Sequence, residues 1–120
     1  MISLADLFKK VESVPDFSGH VIDSVNYRNG YGDTPLHIVS VWGDTEAITL
    51  LVGNGADINA KGEAGYTPLH FAAEQNRPEA IKLLLSLGAA QITNDDGELA
   101  IELAESVNNK EAINAFRQSI

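Results

Sequence analysis

Thr34-Pro35-Leu36-His37 returns as Thr67-Pro68-Leu69-His70, the same four residues 33 positions further on. A fixed internal step is the signature of a repeat architecture and governs how every other residue is read. The step of 33 also carries Glu46-Ala47-Ile48 onto Glu79-Ala80-Ile81, Leu50-Leu51 onto Leu83-Leu84, and Gly55-Ala56 onto Gly88-Ala89. From Gly32 to Ala56 against Gly65 to Ala89, 12 of 25 positions are identical without a gap. A third copy follows at a step of 32: Gly65 maps to Gly97, Ala72 to Ala104, Asn76 to Asn108, and the Glu-Ala-Ile triplet to Glu111-Ala112-Ile113. Backwards by 33, Ile58-Asn59 and Lys61 map onto Val25-Asn26 and Arg28.

Local physics gives the unit its shape. Thr34 and Thr67 can cap a helix, because a hydroxyl accepts from an unpaired N–H of the first turn. Pro35 and Pro68 then occupy the first helical position, where a missing N–H costs nothing. That helix ends near Gly43 or Asn76, residues that tolerate a left-handed backbone. A second helix starts around Pro78 and carries Ile81, Leu84 and Leu85 at helical spacing. Gly55 and Gly88 end it, and the polar stretch Asp57 to Gly65 turns into the next unit.

In order and spacing, Gly-x-Thr-Pro-Leu-His, a pair of small residues, Leu-Leu and Gly-Ala-Asp-Ile-Asn closely resemble the ankyrin repeat. The resemblance is strong from Gly32 to about Gly97, weaker from Gly97 to Ile120, and confined to the turn before Gly32. It implies an all-α solenoid of paired antiparallel helices with projecting hairpin-like turns. One such unit cannot bury its own apolar face, so several stack, with atypical units at the ends. The expected division is a divergent capping unit over 1–28, repeats over 29–61 and 62–93, and a C-terminal capping repeat over 94–120. In the first unit Leu4, Leu7, Phe8 and Val11 share a helical face, and Phe17, Val21 and Ile22 are expected to form a second cluster. At the far end Asn114, Arg117, Gln118 and Ser119 put polar groups where a further unit would dock. Two departures stand out: Val39-Ser40 replaces the small pair Ala72-Ala73, and the third unit has Leu99, Ala100 and Glu102 where Thr, Pro and His would stand.

The bulk composition narrows the function. The 120 residues suit one domain, and 44% apolar with 21% charged residues is ordinary for a globular chain. A formal charge of -9 repels phosphate backbones and anionic membranes, so neither nucleic acid nor membrane is an expected partner. A field of that sign steers in a basic protein surface. The chain has no cysteine, which removes disulfides and thiolate-ligated zinc and fits a cytoplasmic location. Neither a secretory leader nor a membrane-spanning run is recognisable, and the protein is expected to be a soluble monomer by itself.

Chemistry would have to come from His37 and His70, with His20 as a loose third. They lie one repeat apart, and in the family resembled this histidine bonds backbone and holds the turns together. A metal-binding or enzymatic reading of His37 and His70 is the remote alternative. Asp95-Asp96 lacks the 12-residue calcium loop and its closing glutamate. No phosphate-cradling loop or serine elbow occurs, so no catalytic residue and no cofactor are expected.

The resemblance places the binding surface on the concave face, made of turn tips and the exposed side of the first helices. Carried over unit by unit, the positions are Arg28, Gly30, Tyr31, Asp33, Val41 and Trp42; then Lys61, Glu63, Ala64, Tyr66, Glu74 and Gln75; then Asp95, Asp96, Glu98, Ser106 and Val107. The set holds the only Trp and two of the three Tyr, residue types that anchor interfaces. It also holds six acidic residues against two basic ones. The competing reading of Trp42 is that it folds over Val39 and the first unit as a core residue. Docking on the convex second helices, around Thr49, Lys82 and Asn114, is the alternative face. The resulting expectation is a protein–protein interaction module that captures a basic partner, in the leading reading as a small inhibitor or immunity-type protein neutralising a toxin or enzyme. The alternative is a generic adaptor or scaffold.

Overall fold

The structure, a computed structural model, describes residues 2–119. Seven α-helices follow one another: α1 (Leu4–Glu12), α2 (Pro35–Trp42), α3 (Thr45–Gly53), α4 (Pro68–Glu74), α5 (Pro78–Ser86), α6 (Ala100–Ser106) and α7 (Lys110–Gln118). Single 3-10 turns occupy Pro15–Phe17 and Glu63–Gly65. There is no β-strand among the described residues. The helices pair as α2 with α3, α4 with α5, and α6 with α7. The first members α2, α4 and α6 stack as one layer, and α3, α5 and α7 as a second.

The repeat dictates both the helix ends and the core. Pro35, Pro68 and Pro78 each open a helix, and Asp44 caps α3 by accepting the Ala47 N–H at 3.1 Å. Gly43, Asn76 and Asn108 all adopt positive φ after the first helix of their units, where the chain reverses into the second. The buried residues keep the step from α3 to α5, where Ala47, Ile48 and Leu51 correspond to Ala80, Ile81 and Leu84; in α7 Ala112 and Phe116 keep it, while Ala115 is buried and Ile113 half-buried. Leu85, the third member of the expected stripe, is half-buried. Ser40 sits fully buried in α2, and its hydroxyl donates to the Leu36 carbonyl at 2.7 Å, so no polar atom is stranded.

The units are joined by amide side chains that reach one unit ahead or back. Asn26 accepts the Asp57 N–H and donates to the Gly55 carbonyl, and Asn59 accepts the Ala90 N–H. On the other side of the stack Asn76 accepts the Ala112 N–H, and Asn109 donates to the Ala73 and Glu74 carbonyls. Asn26 and Asn59 are one repeat apart and make the same kind of tie, whereas Asn109 is the counterpart of Arg77, whose Nε donates to the Val41 carbonyl at 2.9 Å.

The first unit has one α-helix. Leu7 and Val11 of α1 are fully buried, with Leu4 and Phe8 half-buried beside them. Phe17 and Ile22 complete this end of the core, but Val21 is 75% exposed and takes no part in the expected cluster. No helix forms here, so the two neighbours are not bound to one helical face, and Ile22 turns in as Val21 turns out. The segment is held by Glu12, which accepts the Ile22 N–H at 2.8 Å, and by packing of Phe17, His20 and Tyr27. At the opposite end Asn114, Arg117, Gln118 and Ser119 are exposed.

Candidate functional site

The two histidines set the geometry of the turn tips. His37 Nδ1 accepts the Thr34 backbone N–H at 2.9 Å, and its Nε2 faces the carbonyls of Ala60 at 2.9 Å and Tyr66 at 3.0 Å. His70 repeats this with the Thr67 N–H at 3.1 Å and the Glu98 carbonyl at 2.8 Å. An N–H facing Nδ1 and carbonyls facing Nε2 define a neutral ring with its proton on Nε2. Burial pushes both imidazoles below the usual histidine range, outweighing the bonds to carbonyl that favour the charged form. Both ring nitrogens are spent on backbone, which leaves no lone pair to offer a metal. In the third unit Glu102 stands where histidine would, and its Oε1 accepts the Leu99 N–H at 2.8 Å. The helix start is thus kept without a histidine. His20 shares a 2.7 Å hydrogen bond with the Tyr27 hydroxyl.

Each tip is closed by a backbone hydrogen bond from Asn29 N–H to the Asp33 carbonyl, Gly62 to Tyr66, or Asn94 to Glu98, and by a second from Gly32, Gly65 or Gly97 back to Asn29, Gly62 or Asn94. In the outer two, the asparagine Oδ1 caps the turn, Asn29 for Tyr31 and Asp33, Asn94 for Asp96 and Glu98. The middle tip has Gly62 instead, and there the cap comes from the preceding unit: Asp33 Oδ1 accepts the Glu63 N–H at 2.9 Å. A methyl group on Gly62 would overlap the Asp33 carboxylate and crowd His37 Nε2 at 3.1 Å. Asp33 is therefore buried, 2% exposed, where the carry-over expected a solvent-facing residue. Its contact is with the next turn of its own chain. Arg28 is likewise engaged, donating from Nη1 to the carbonyls of Gly32 and Lys61. A backbone bond from Asp95 N–H to the Ala64 carbonyl joins the second tip to the third.

Between the tips and the first helices lie two adjoining pockets. One, of about 210 Å³, is lined by Asp33, Val41, Trp42 and Glu63 among the expected residues, together with Val14, Pro15, Asp16, His37, Ile38 and Phe71. The other, of about 220 Å³, is lined by Glu63, Ala64, Tyr66, Phe71 and Glu74. Glu63 and Phe71 form the partition. Tyr66 donates to Glu74 Oε2 at 3.1 Å, and its ring stacks obliquely on Phe71 with centroids 5.1 Å apart. Burial, then the carboxylates of Glu74, Glu98 and Asp96, push the Tyr66 phenol up to about 12. Trp42 is half-buried and packs against the core, with Lys10 Nζ 5.2 Å from its ring centroid. The two readings of Trp42 are thus compatible: it covers the edge of the first unit and still lines a pocket.

Not every expected position joins these pockets. Tyr31 is 56% exposed at the first tip, and Gln75, Ser106 and Val107 are exposed at the ends of α4 and α6. Lys61, Asp95 and Asp96 are exposed on the tips, with Glu98 half-buried beside them. Phe71 and Asp16 line the pockets without having been expected. Phe71 was detectable as the aromatic residue following His70, whereas Asp16 lies in the part of the divergent unit before Val25, onto which no repeat position transfers. A broader depression of about 670 Å³ lies on the second helices, lined by Thr45, Glu46, Thr49, Glu79, Lys82, Leu83 and Ser86. It contains no aromatic side chain, and its lysine lies 3.7 Å from Glu79.

The helix pairs, the projecting tips and the histidine ties recur at the interval of the sequence repeat, and a family model of ankyrin repeats in three copies matches residues 7–96 and, overlapping, 43–118. The chain belongs to the ankyrin-repeat family. Ankyrin repeats are protein–protein interaction modules, typically without catalytic activity of their own. This ankyrin-repeat domain therefore binds another protein, and its pocketed face is framed by the tips and first helices of successive repeats.

Proposed function

We propose that the tip-and-first-helix face captures a basic protein and that the domain acts as an inhibitor or immunity-type protein by masking it. The observation that carries this reading is the clustering of acid around aromatic rings. Glu63 and Glu74 line a pocket with Tyr66 and Phe71, and the carboxylates of Asp96 and Glu98 act on the same phenol. Aromatic residues supply contact area at little entropic cost, and surrounding carboxylates steer a cationic surface onto them. The overall charge of -9 extends that attraction beyond the site. Masking fits a rigid face whose tips are fixed to one another by hydrogen bonds, because little ordering entropy is lost on binding.

The test begins with immobilised protein, capture, and identification of the bound chain by mass spectrometry. Association with that chain should then slow markedly as salt rises, since exposed charges are screened beyond about 8 Å at physiological ionic strength. Neutralising Asp95, Asp96 and Glu98 together should lower the association rate, whereas Tyr66→Ala should mainly speed dissociation. A salt-independent association rate, with both variants at wild-type values, would refute the basic partner. If the captured protein is an enzyme or toxin and keeps full activity in the complex, the domain is an adaptor rather than an inhibitor.

A further inference from the structure

The pocket beside Asp33 contains a feature that packing alone does not explain. A carboxylate 2% exposed carries a desolvation cost that is normally met by a counter-ion. Asp33 makes no ion pair among the described residues. Its Oδ1 takes the Glu63 N–H, its Oδ2 has no hydrogen-bond partner among the described residues without being fully sealed, and the residue lines the pocket. Asp16 and Glu63, both exposed, add two carboxylates at the rim. No cation pairs with it directly: Arg28 Nη1 donates to the Gly32 and Lys61 carbonyls, and Lys10 lies over Trp42 outside the lining. The walls are apolar and partly aromatic, with Ile38, Val41, Trp42 and Phe71. At about 210 Å³ the space falls below the roughly 300–1,000 Å³ of small-molecule sites. It suits one long side chain.

We propose that this pocket receives an arginine side chain of the protein partner, its guanidinium on the free oxygen of Asp33 and its methylenes along Trp42 and Phe71. Three carboxylates and aromatic surface lining one small pocket match a planar cation on an aliphatic stem, and guanidinium stacks on aromatic faces and is more weakly hydrated than ammonium. This deepens the basic-partner reading and rests on it. Asp33 then has two uses: one oxygen fixes the second tip, and the other selects the partner's anchor.

The full chain, labelled with ¹⁵N, tests this with three blocked pentapeptides: acetyl-Gly-Gly-Arg-Gly-Gly-amide, its lysine analogue, and its citrulline analogue, which is nearly isosteric with arginine but uncharged. Trp42 is the single tryptophan, so its indole N–H gives one resolved signal, and the Glu63 amide reports on Asp33 directly. The arginine peptide should shift both signals, the lysine peptide should bind several-fold more weakly, and the citrulline peptide should leave both unmoved. Asp33→Asn keeps an oxygen for the Glu63 N–H while removing the charge, and should weaken the arginine peptide by about tenfold, the scale of a charge-assisted hydrogen bond. If that variant does not fold, Asp16→Asn with Glu63→Gln, both on exposed residues, should weaken it several-fold. Equal response to arginine and citrulline, equal affinity for arginine and lysine, or indifference to every one of these substitutions would overturn the assignment. Shifts confined to Asp95, Asp96 and Glu98 would remove the pocket while leaving the basic partner in place. A salt-independent association rate with the captured protein would remove the partner reading itself.

Discussion

Acidification from about pH 7.5 to about pH 5.5 is expected to destabilise this fold through His37 and His70. Each imidazole is held neutral between a backbone N–H on Nδ1 and carbonyls on Nε2, and burial depresses its proton affinity below that of a free histidine at 6.5. The unfolded chain therefore binds more protons than the native one once the pH approaches 6.5. Stability is complete above that value and is lost as the pH falls from it towards the depressed native pKa. A ring that stays neutral throughout forfeits at most about 1.4 kcal/mol over this interval, so the pair forfeits at most about 2.7 kcal/mol. That is a large part of a typical total of about 5–15 kcal/mol. Urea unfolding followed by circular dichroism should show the midpoint falling by up to roughly 1–2.5 M over the interval, given slopes of about 1–3 kcal/mol per molar. The variant H37Q/H70Q keeps every other titrating group and should be less stable at neutral pH, yet lose most of the pH dependence. A wild-type midpoint that does not move, or a slope surviving intact in the double variant, would refute the assignment of buried neutral tautomers.

Three further outcomes are expected from single substitutions. Leu84→Ala empties a fully buried position in α5 and should cost about 2–5 kcal/mol in chemical denaturation, with reduced cooperativity because neighbouring units share that surface. Gly62→Ala should destabilise the second tip, and its clearest sign would be accelerated hydrogen exchange at the Glu63 amide as the Asp33 carboxylate is displaced. Asn109→Ala strips one donor from the Ala73 and Glu74 carbonyls and should cost about 1–3 kcal/mol, with α6 and α7 exchanging faster than α4 and α5.

The repeated units were legible because each depends on short-range rules copied at a fixed interval. Thr-Pro at a helix start, glycine or asparagine where the backbone turns left-handed, and apolar residues at helical spacing all carry their meaning locally. The errors fall where that copying stops. Phe17, Val21 and Ile22 are apolar alike, but the segment has no repeat counterpart to show which of them turns inward, and Val21 turns out. Asp33 occupies a position that transfers as solvent-facing, yet Gly62 opens a space one unit away that its carboxylate fills. That space is visible only when Asp33 and Gly62, a unit apart in sequence, are considered together. Trp42 is half-buried against the core and also lines a pocket, a placement that the repeat spacing alone does not decide. Asp16 had no equivalent in any repeat from which its place could be carried over.

The cap that Asp33 supplies to Gly62 also means that the units are not interchangeable modules. At the position of Asp33 the second unit has Tyr66 and the third has Glu98, by the same alignment that pairs Gly32 with Gly65 and Gly97. A tandem duplication of the middle unit would place a second Gly62 behind Tyr66, whose side chain is already turned towards Glu74. Its Glu63 N–H would then meet no carboxylate, and the added tip would lack both its own asparagine and a borrowed cap. The order of units is thus written into side chains at their junctions, and lengthening this array by copying would first require Gly62 of the copy to become asparagine.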